Sequence, residues 1–175
     1  MTGVDRILDP STLIDHVDRL YRAAWALSGS RADAEDLVQE TFAQVLARPR
    51  RIRNDDDLGY LLRVLRNTFI SSRRAAARRL APEALNDEFE PADPRPSSRP
   101  EQAAEAREVF TVIAGLGESF RDALVAVDVA GLTYAEAAEL LDTNEAAITS
   151  RLFRARAQVA LRMESPAAGV QAGTG

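Results

Sequence analysis

Three groups of polar side chains carry the chemistry open to this sequence. The first is YLLRVLRNTFISSRRAAARR, residues 60–79, which holds six arginines and no acid. Arginines at that density on one side of a helix track a phosphate backbone, and each neutralised phosphate steepens the salt dependence of binding. Arg63, Arg66, Arg73 and Arg74 form this face, and no acid nearby in the sequence pairs with them. Tyr60 and Asn67 stand among the cations. A ring there stacks on an exposed base or packs into a core, and a side-chain amide reads a base edge.

The second group is DTNEAAITSRLFRARAQV, residues 142–159, acidic at its start and basic after it. Ile148, Leu152, Ala155 and Val159 recur at helical spacing, which turns Thr149, Ser150, Phe153 and Arg154 outward. An outward phenylalanine beside hydroxyls and an arginine suits a thymine methyl and a phosphate or guanine edge, or else packs on a neighbouring helix. The third group has the opposite sign. Asp33, Asp36, Gln39 and Glu40, with Gln44, lie on the side of a helix away from its apolar stripe. That ridge is either an ordinary solvated face or a dock for a basic protein surface.

The elements that must position these groups are all helical in pattern. Leu13, Val17, Leu20, Tyr21, Ala24 and Leu27 predict one amphipathic helix, and Ser30 caps a second with Ala34, Leu37, Val38, Thr41, Phe42, Val45 and Leu46 as its stripe, ended by Pro49. A third runs from about Leu58 into the seventies on Leu58, Leu61, Leu62, Leu65 and Phe69. Residues 81–100 contain five prolines and read as a linker. Beyond it, Ala106, Val109, Phe110 and Ile113 begin a helix, Phe120, Ala123, Leu124 and Val127 form another that Gly131 stops, and TYAE (133–136) is a capping box opening a short helix. Three residues, Asp142 to Asn144, separate that helix from the basic one, the outline of a helix-turn-helix. No alternating run argues for a strand. The predicted fold is all-α: two small helical domains, 10–80 and 105–163, joined by a flexible acidic linker, 81–104, with a disordered tail, 164–175.

Composition removes other classes. The 175 residues have a net charge of -5, yet all 22 basic residues are arginine and are segregated, while residues 81–108 hold eight acids against three arginines. A genome rich in G and C also favours arginine codons. There is no cysteine and one histidine, His16, so neither disulfides nor a metal cluster is expected, and no cofactor is implied. A hydrolase or transferase needs a nucleophile with a base, a Gly-rich phosphate loop or a metal, and none is present. No apolar run reaches the length of about 18 residues that spans a bilayer, and a cytoplasmic protein is expected.

DAEDLVQETFAQVLARP (33–49), YLLRVLRNTFISSRR (60–74) and GLTYAEAAELLDTNEAAITSRLFRARAQVALR (131–162) together closely resemble the bacterial sigma factors of the extracytoplasmic-function class of the sigma-70 family. The resemblance implies a non-catalytic subunit that directs core RNA polymerase to promoters and assists melting. It places Asp33, Asp36, Gln39 and Glu40 on a coiled coil of the beta-prime subunit, with the beta flap a further polymerase contact. It assigns Tyr60, Arg63, Arg66, Asn67, Arg73 and Arg74 to the minus-ten element, including capture of a flipped base, and Thr149, Ser150, Phe153 and Arg154 to the minus-thirty-five element of promoter DNA. It further implies an anti-sigma partner that masks both domains. The chain departs from the family at Thr149, where Lys or Arg is frequent, at Ala146 and Gly117, where glycine and proline are common, and in the loop RPRRIRNDDD, which lacks an aromatic residue. A stand-alone helix-turn-helix regulator using residues 106–162 is the competing reading.

Overall fold

Glycine and serine at positions 29 and 30 set the first break in the chain. Gly29 takes φ of +77°, and its N–H is donated to the Trp25 carbonyl, closing the helix Leu13–Ser28 (α1) in the left-handed form that glycine adopts without strain. The Ser30 side chain then accepts from the Asp33 N–H and opens Arg31–Ala47 (α2). A computed structural model describes residues 6–49, 51–52, 56–79 and 100–165. Most of the linker and the tail from residue 166 therefore lie outside the described residues, as does part of the loop before the third helix.

The third helix, Asp57–Arg79 (α3), packs against α1 and α2. Leu20, Leu61 and Leu65 are almost fully buried at the centre, and Thr41, also buried, donates its hydroxyl to the Leu37 carbonyl 2.7 Å away. The fold is all-α, as the periodicity predicts, with one addition: Arg6–Ile7 (β1) and Arg51–Ile52 (β2) form a short antiparallel pair, with Arg6 opposite Ile52. Two residues per strand are too few for an alternating pattern, so nothing in the sequence announces them. The pairing leads Arg6 to the buried Asp57, fastening the segment before α1 to the start of α3. The Asp56 carboxylate accepts from the Gly59 N–H, a capping role consistent with acids at this helix start. Leu46, read as part of the α2 stripe, is instead 51% exposed.

The second half contains Pro100–Ala114 (α4), Glu118–Leu124 (α5), Tyr134–Leu140 (α6) and Glu145–Glu164 (α7). Helix α4 thus starts ahead of the apolar residues that reveal it. Helix α5 continues through a π-turn, Val125–Val129, marked by the Ala130 N–H to Val125 carbonyl bond, until Gly131 at φ +79° stops it. Leu124, Ile148, Leu152 and Ala155 are buried in its core. The two halves share one continuous core. Trp25 of α1 meets Phe110 of α4 edge-on with ring centroids 5.1 Å apart, and a Cβ on Gly29 would stand 3.0 Å from that of Ala114.

Leu61 is completely enclosed. Leu61→Ala is expected to lower unfolding free energy by about 2–5 kcal/mol, read as a fall in the urea midpoint with an unchanged slope.

Candidate nucleic-acid and protein interfaces

The polar groups on α3 divide between two faces. At roughly 100° per residue, Arg63, Asn67 and Arg74 stay within about 60° of Tyr60, whereas Arg66 and Arg73 fall about 120–140° away. Tyr60, Arg63 and Asn67 line one open cleft of about 560 Å³, opposite Glu40 and Gln44 of α2 and Arg48 just past its end. Tyr60 is half-buried, one side against the core and the other bordering the cleft. The cleft therefore offers an aromatic face, an amide and cations in one place, and its volume lies in the range of small-molecule sites. Arg48 was not singled out from the sequence, although it opens an arginine cluster.

Arg66 and Arg73 face elsewhere. Arg66 donates from Nε to the Asp122 carboxylate at 2.7 Å and lies 3.6 Å from Glu118, both in α5. No acid nearby in the sequence pairs with the cluster, but this contact joins residues 56 positions apart and leaves no local trace in the sequence. Arg73 packs on Phe69, its guanidinium 5.7 Å from the ring centroid, and borders a second cleft with Asp33, Asp36 and Glu40. Arg74 is exposed. The acidic ridge itself is solvent-facing at Asp33, Asp36, Gln39 and Glu40, with Gln44 donating to Glu40 at 2.9 Å.

The second half builds a helix-turn-helix from local capping. Thr133 and Glu136 form the reciprocal capping box of α6, with the Glu136 carboxylate accepting from the Thr133 N–H at 2.7 Å. These hydrogen bonds to Thr133 hold the Glu136 carboxyl below the usual range for glutamate. Asp142 takes φ of +51° in the turn, a conformation aspartate tolerates better than most residues, and the Asn144 side chain caps α7 through the Ala147 N–H. Of the crowded arginines on α7, Arg156 is committed to Asp128 by two hydrogen bonds of 2.7 and 2.9 Å. Its affinity for its proton is raised above the ordinary arginine value by those bonds, with a lesser contribution from Tyr134. Arg154 has no ion-pair partner among the described residues, and Phe153 is 77% exposed. Thr149 and Ser150 are exposed beside them, the Thr149 hydroxyl donating back to the Glu145 carbonyl. Phe153 is thus not packed on a neighbouring helix.

Residues 13–79 match the family Sigma-70 region 2, and residues 105–159 match Sigma-70, region 4. The ECF RNA polymerase sigma factor EcfG of Rhodopseudomonas palustris is 33% identical over 150 residues, covering 82% of this chain and 78% of the relative. The chain belongs to the extracytoplasmic-function sigma factors. Membership of this family carries promoter-directed transcription by RNA polymerase as the class of function, and the match to residues 13–79 fills the half that a stand-alone regulator leaves idle. SigE of Mycolicibacterium smegmatis, another such sigma factor, is 34% identical over 147 residues, covering 82% of this chain and 57% of its own length. The chain therefore spans little more than half of that relative. In fold, this sigma factor is similar to RpoE of Bartonella quintana, solved in complex with the anti-sigma factor NepR, at a TM-score of 0.69 and 22% identity, covering 90% of this chain and 97% of that one. No helix among the described residues is long and apolar enough to cross a membrane.

Two stability outcomes follow for this sigma factor. Phe153→Ala is expected to leave unfolding free energy within about 0.5 kcal/mol of the parent, while Thr133→Ala lowers it by about 1 kcal/mol, both by urea denaturation. Because the Glu136 carboxyl is depressed, its stabilisation is present above the unfolded glutamate range and is lost as pH falls through the folded value. Melting temperature followed on acidification is expected to fall less steeply in Glu136→Gln than in the parent.

Proposed function

We propose that the chain docks on core RNA polymerase through the ridge Asp33, Asp36, Gln39 and Glu40 and gives the enzyme its promoter preference, acting in the cytoplasm and contributing no catalytic residue of its own. The observation that carries this reading is the cleft between α2 and α3, where Tyr60, Arg63 and Asn67 converge. A base leaving the duplex costs a few kcal/mol in lost stacking and pairing. An aromatic face and an amide at a concave site offset that cost, and the cations Arg63 and Arg48 meet the flanking phosphates. Arg74, exposed on the same side of α3, extends the positive face along the strand at the minus-ten element, whereas Arg66 and Arg73, also assigned to that element, face the second half and the acidic ridge here.

Helix α7 supplies the second contact. Its N-terminal turns project Thr149, Ser150, Phe153 and Arg154 from a frame held by two caps and by the Arg156–Asp128 pair. A helix presented in this way enters the major groove of duplex DNA at the minus-thirty-five element, with Phe153 toward a thymine methyl and Arg154 toward a guanine edge or phosphate. The anti-sigma factor NepR seen on RpoE of Bartonella quintana supports an anti-sigma protein as a further partner for this chain.

Core polymerase plus this protein on genomic DNA is expected to yield transcripts from a discrete promoter set; absence of promoter-dependent transcripts would overturn the reading. Asp36→Lys with Glu40→Lys is expected to weaken polymerase binding roughly tenfold or more with unchanged helix content by circular dichroism. Unchanged polymerase affinity would remove the ridge from the docking site. Arg154→Ala is expected to cost about 1–3 kcal/mol in promoter binding by the holoenzyme, measured by filter binding at fixed salt.

A further inference from the structure

Asp57 is a buried carboxylate that belongs to neither DNA face. Its side chain, on the first turn of α3, is only 8% exposed, and both its oxygens face the segment before α1. Arg6 of β1 donates to Oδ1, and the Thr12 hydroxyl, donated to the Asp9 carbonyl at 2.8 Å, also lies 3.4 Å from Oδ2. The Asp9 carboxylate accepts from the Ser11 N–H at 2.9 Å, folding Pro10–Thr12 into the turn that brings this hydroxyl round. In the two-residue ladder Arg6 lies opposite Ile52; Leu8 and Ile52 are buried, while Ile7 is exposed. These residues precede 13–79, the stretch matched to Sigma-70 region 2, so the anchorage is an addition to the matched unit.

The anchorage sits where the two walls of the α2–α3 cleft are joined. One wall ends at Arg48, the chain continues through β2, and the other wall begins at Asp57, one helical turn before Tyr60. Further along the two helices the walls are tied directly, Thr68 donating to Gln44 at 3.4 Å. At the mouth, β1 pairs with β2 and Arg6 pairs with Asp57, so both sides of the connection are fastened to one short segment. Asp56 completes the first turn of α3: its carboxylate accepts from the Gly59 N–H at 2.8 Å and its carbonyl from the Tyr60 N–H at 3.3 Å. A buried carboxylate deprived of its cation must regain water or a proton, and the turn that carries it shifts accordingly. Tyr60 rides on that turn.

We infer that Arg6 is a positioning residue for capture of the displaced promoter strand: through Asp57 and the β1–β2 ladder it fixes the mouth of the cleft, and with it the Tyr60 ring, against the end of α2. The inference rests on the promoter-binding reading above and adds to it a residue outside the cleft. A site for an extruded base offsets the flipping cost fully only if its aromatic face and amide are already in place, because ordering them on contact consumes part of the gain. A displacement of about 1 Å in a well-oriented site costs as much as ~100-fold. Arg6 is not among the residues that line the cleft, so its effect passes through the walls.

Arg6→Ala, Arg6→Lys and the pair Arg6→Ala with Asp57→Asn separate positioning from folding in the full chain. The probe is a promoter from the transcribed set, built as a fork left single-stranded over the minus-ten element. Bound to core polymerase, Arg6→Ala is expected to lose about tenfold in affinity for the fork while its affinity for core polymerase stays unchanged, and Arg6→Lys to regain most of that loss. The double variant removes the stranded charge, so its melting temperature is expected to return toward that of the parent while fork affinity stays low; it also serves where Arg6→Ala alone does not fold. Recovery of both, or an equal loss of core affinity, makes the effect one of stability and overturns the positioning role. In the free chain, amide exchange at Gly59 and Tyr60 is expected to be several-fold faster in Arg6→Ala. A folded variant with unchanged exchange or unchanged fork affinity overturns the inference as well. Failure of the parent to bind the fork would sink the promoter reading, with the amide measurement still deciding whether Arg6 holds the turn.

Discussion

Burial of the Asp122 carboxylate constrains the arrangement of everything around it. A charge taken out of water costs several kcal/mol unless it is paired and hydrogen-bonded. Arg121 cannot meet that requirement alone, because its guanidinium reaches only Oδ1. The other oxygen is served by Arg66, on a helix from the opposite half of the chain. The seam is therefore specified by chemistry as well as by apolar contact: no buried side-chain nitrogen or oxygen among the described residues is left without a partner. Glu118, 3.6 Å from Arg66, brings the cluster to two carboxylates and two guanidinium groups.

Helix α1 is the structural counterpart of that polar seam. It packs on α2 and α3 on one side and on α4 and the π-turn on the other, and Ala23, Ala24 and Ala26 are all completely buried. Small side chains let backbones approach on more than one side, where a leucine at each position would hold them apart. Trp25 among them fills the gap toward Phe110 and takes Arg31 over its ring at 5.3 Å. One helix thus supports the acidic ridge, the arginine helix and the second half together.

What was legible in the sequence follows physical locality. Every cap that α1, α2, α6 and α7 use lies within four residues of what it caps, and Ser30, Thr133, Glu136 and Gly131 behave as their types predict. The outward position of Phe153 follows from its neighbours Ile148, Leu152 and Ala155 at helical spacing. The two-residue strands carry no pattern, and the pairing of Arg66 with Asp122 and of Arg156 with Asp128 joins distant segments. The stripe Phe120, Ala123, Leu124 and Val127 puts Arg121 and Asp122 where an amphipathic helix faces solvent, so neither their burial nor the partner Arg66 leaves a local signal. The identity of that partner is a property of the fold alone.

The same residue type is buried, paired and exposed at different places in this chain, and the reason lies in the guanidinium group. Arg156 uses its fork in a bidentate grip on Asp128 that fixes α7 against the π-turn, while Arg154, two residues away, is left to solvent. Arg121 lies over an aromatic ring and still bonds a carboxylate, which a compact ammonium does less well. An exclusively arginine basic set therefore allows positive charge to be buried at the seam, pinned at the base of α7 and exposed along α3 without a change of side chain. Because acids gather on the ridge and in residues 81–108 while the arginines cluster elsewhere, a net charge of -5 coexists with local positive surfaces. Screening at physiological salt acts over about 8 Å, so these surfaces are felt by a partner as separate fields, and the overall sign of the molecule does not decide what it binds.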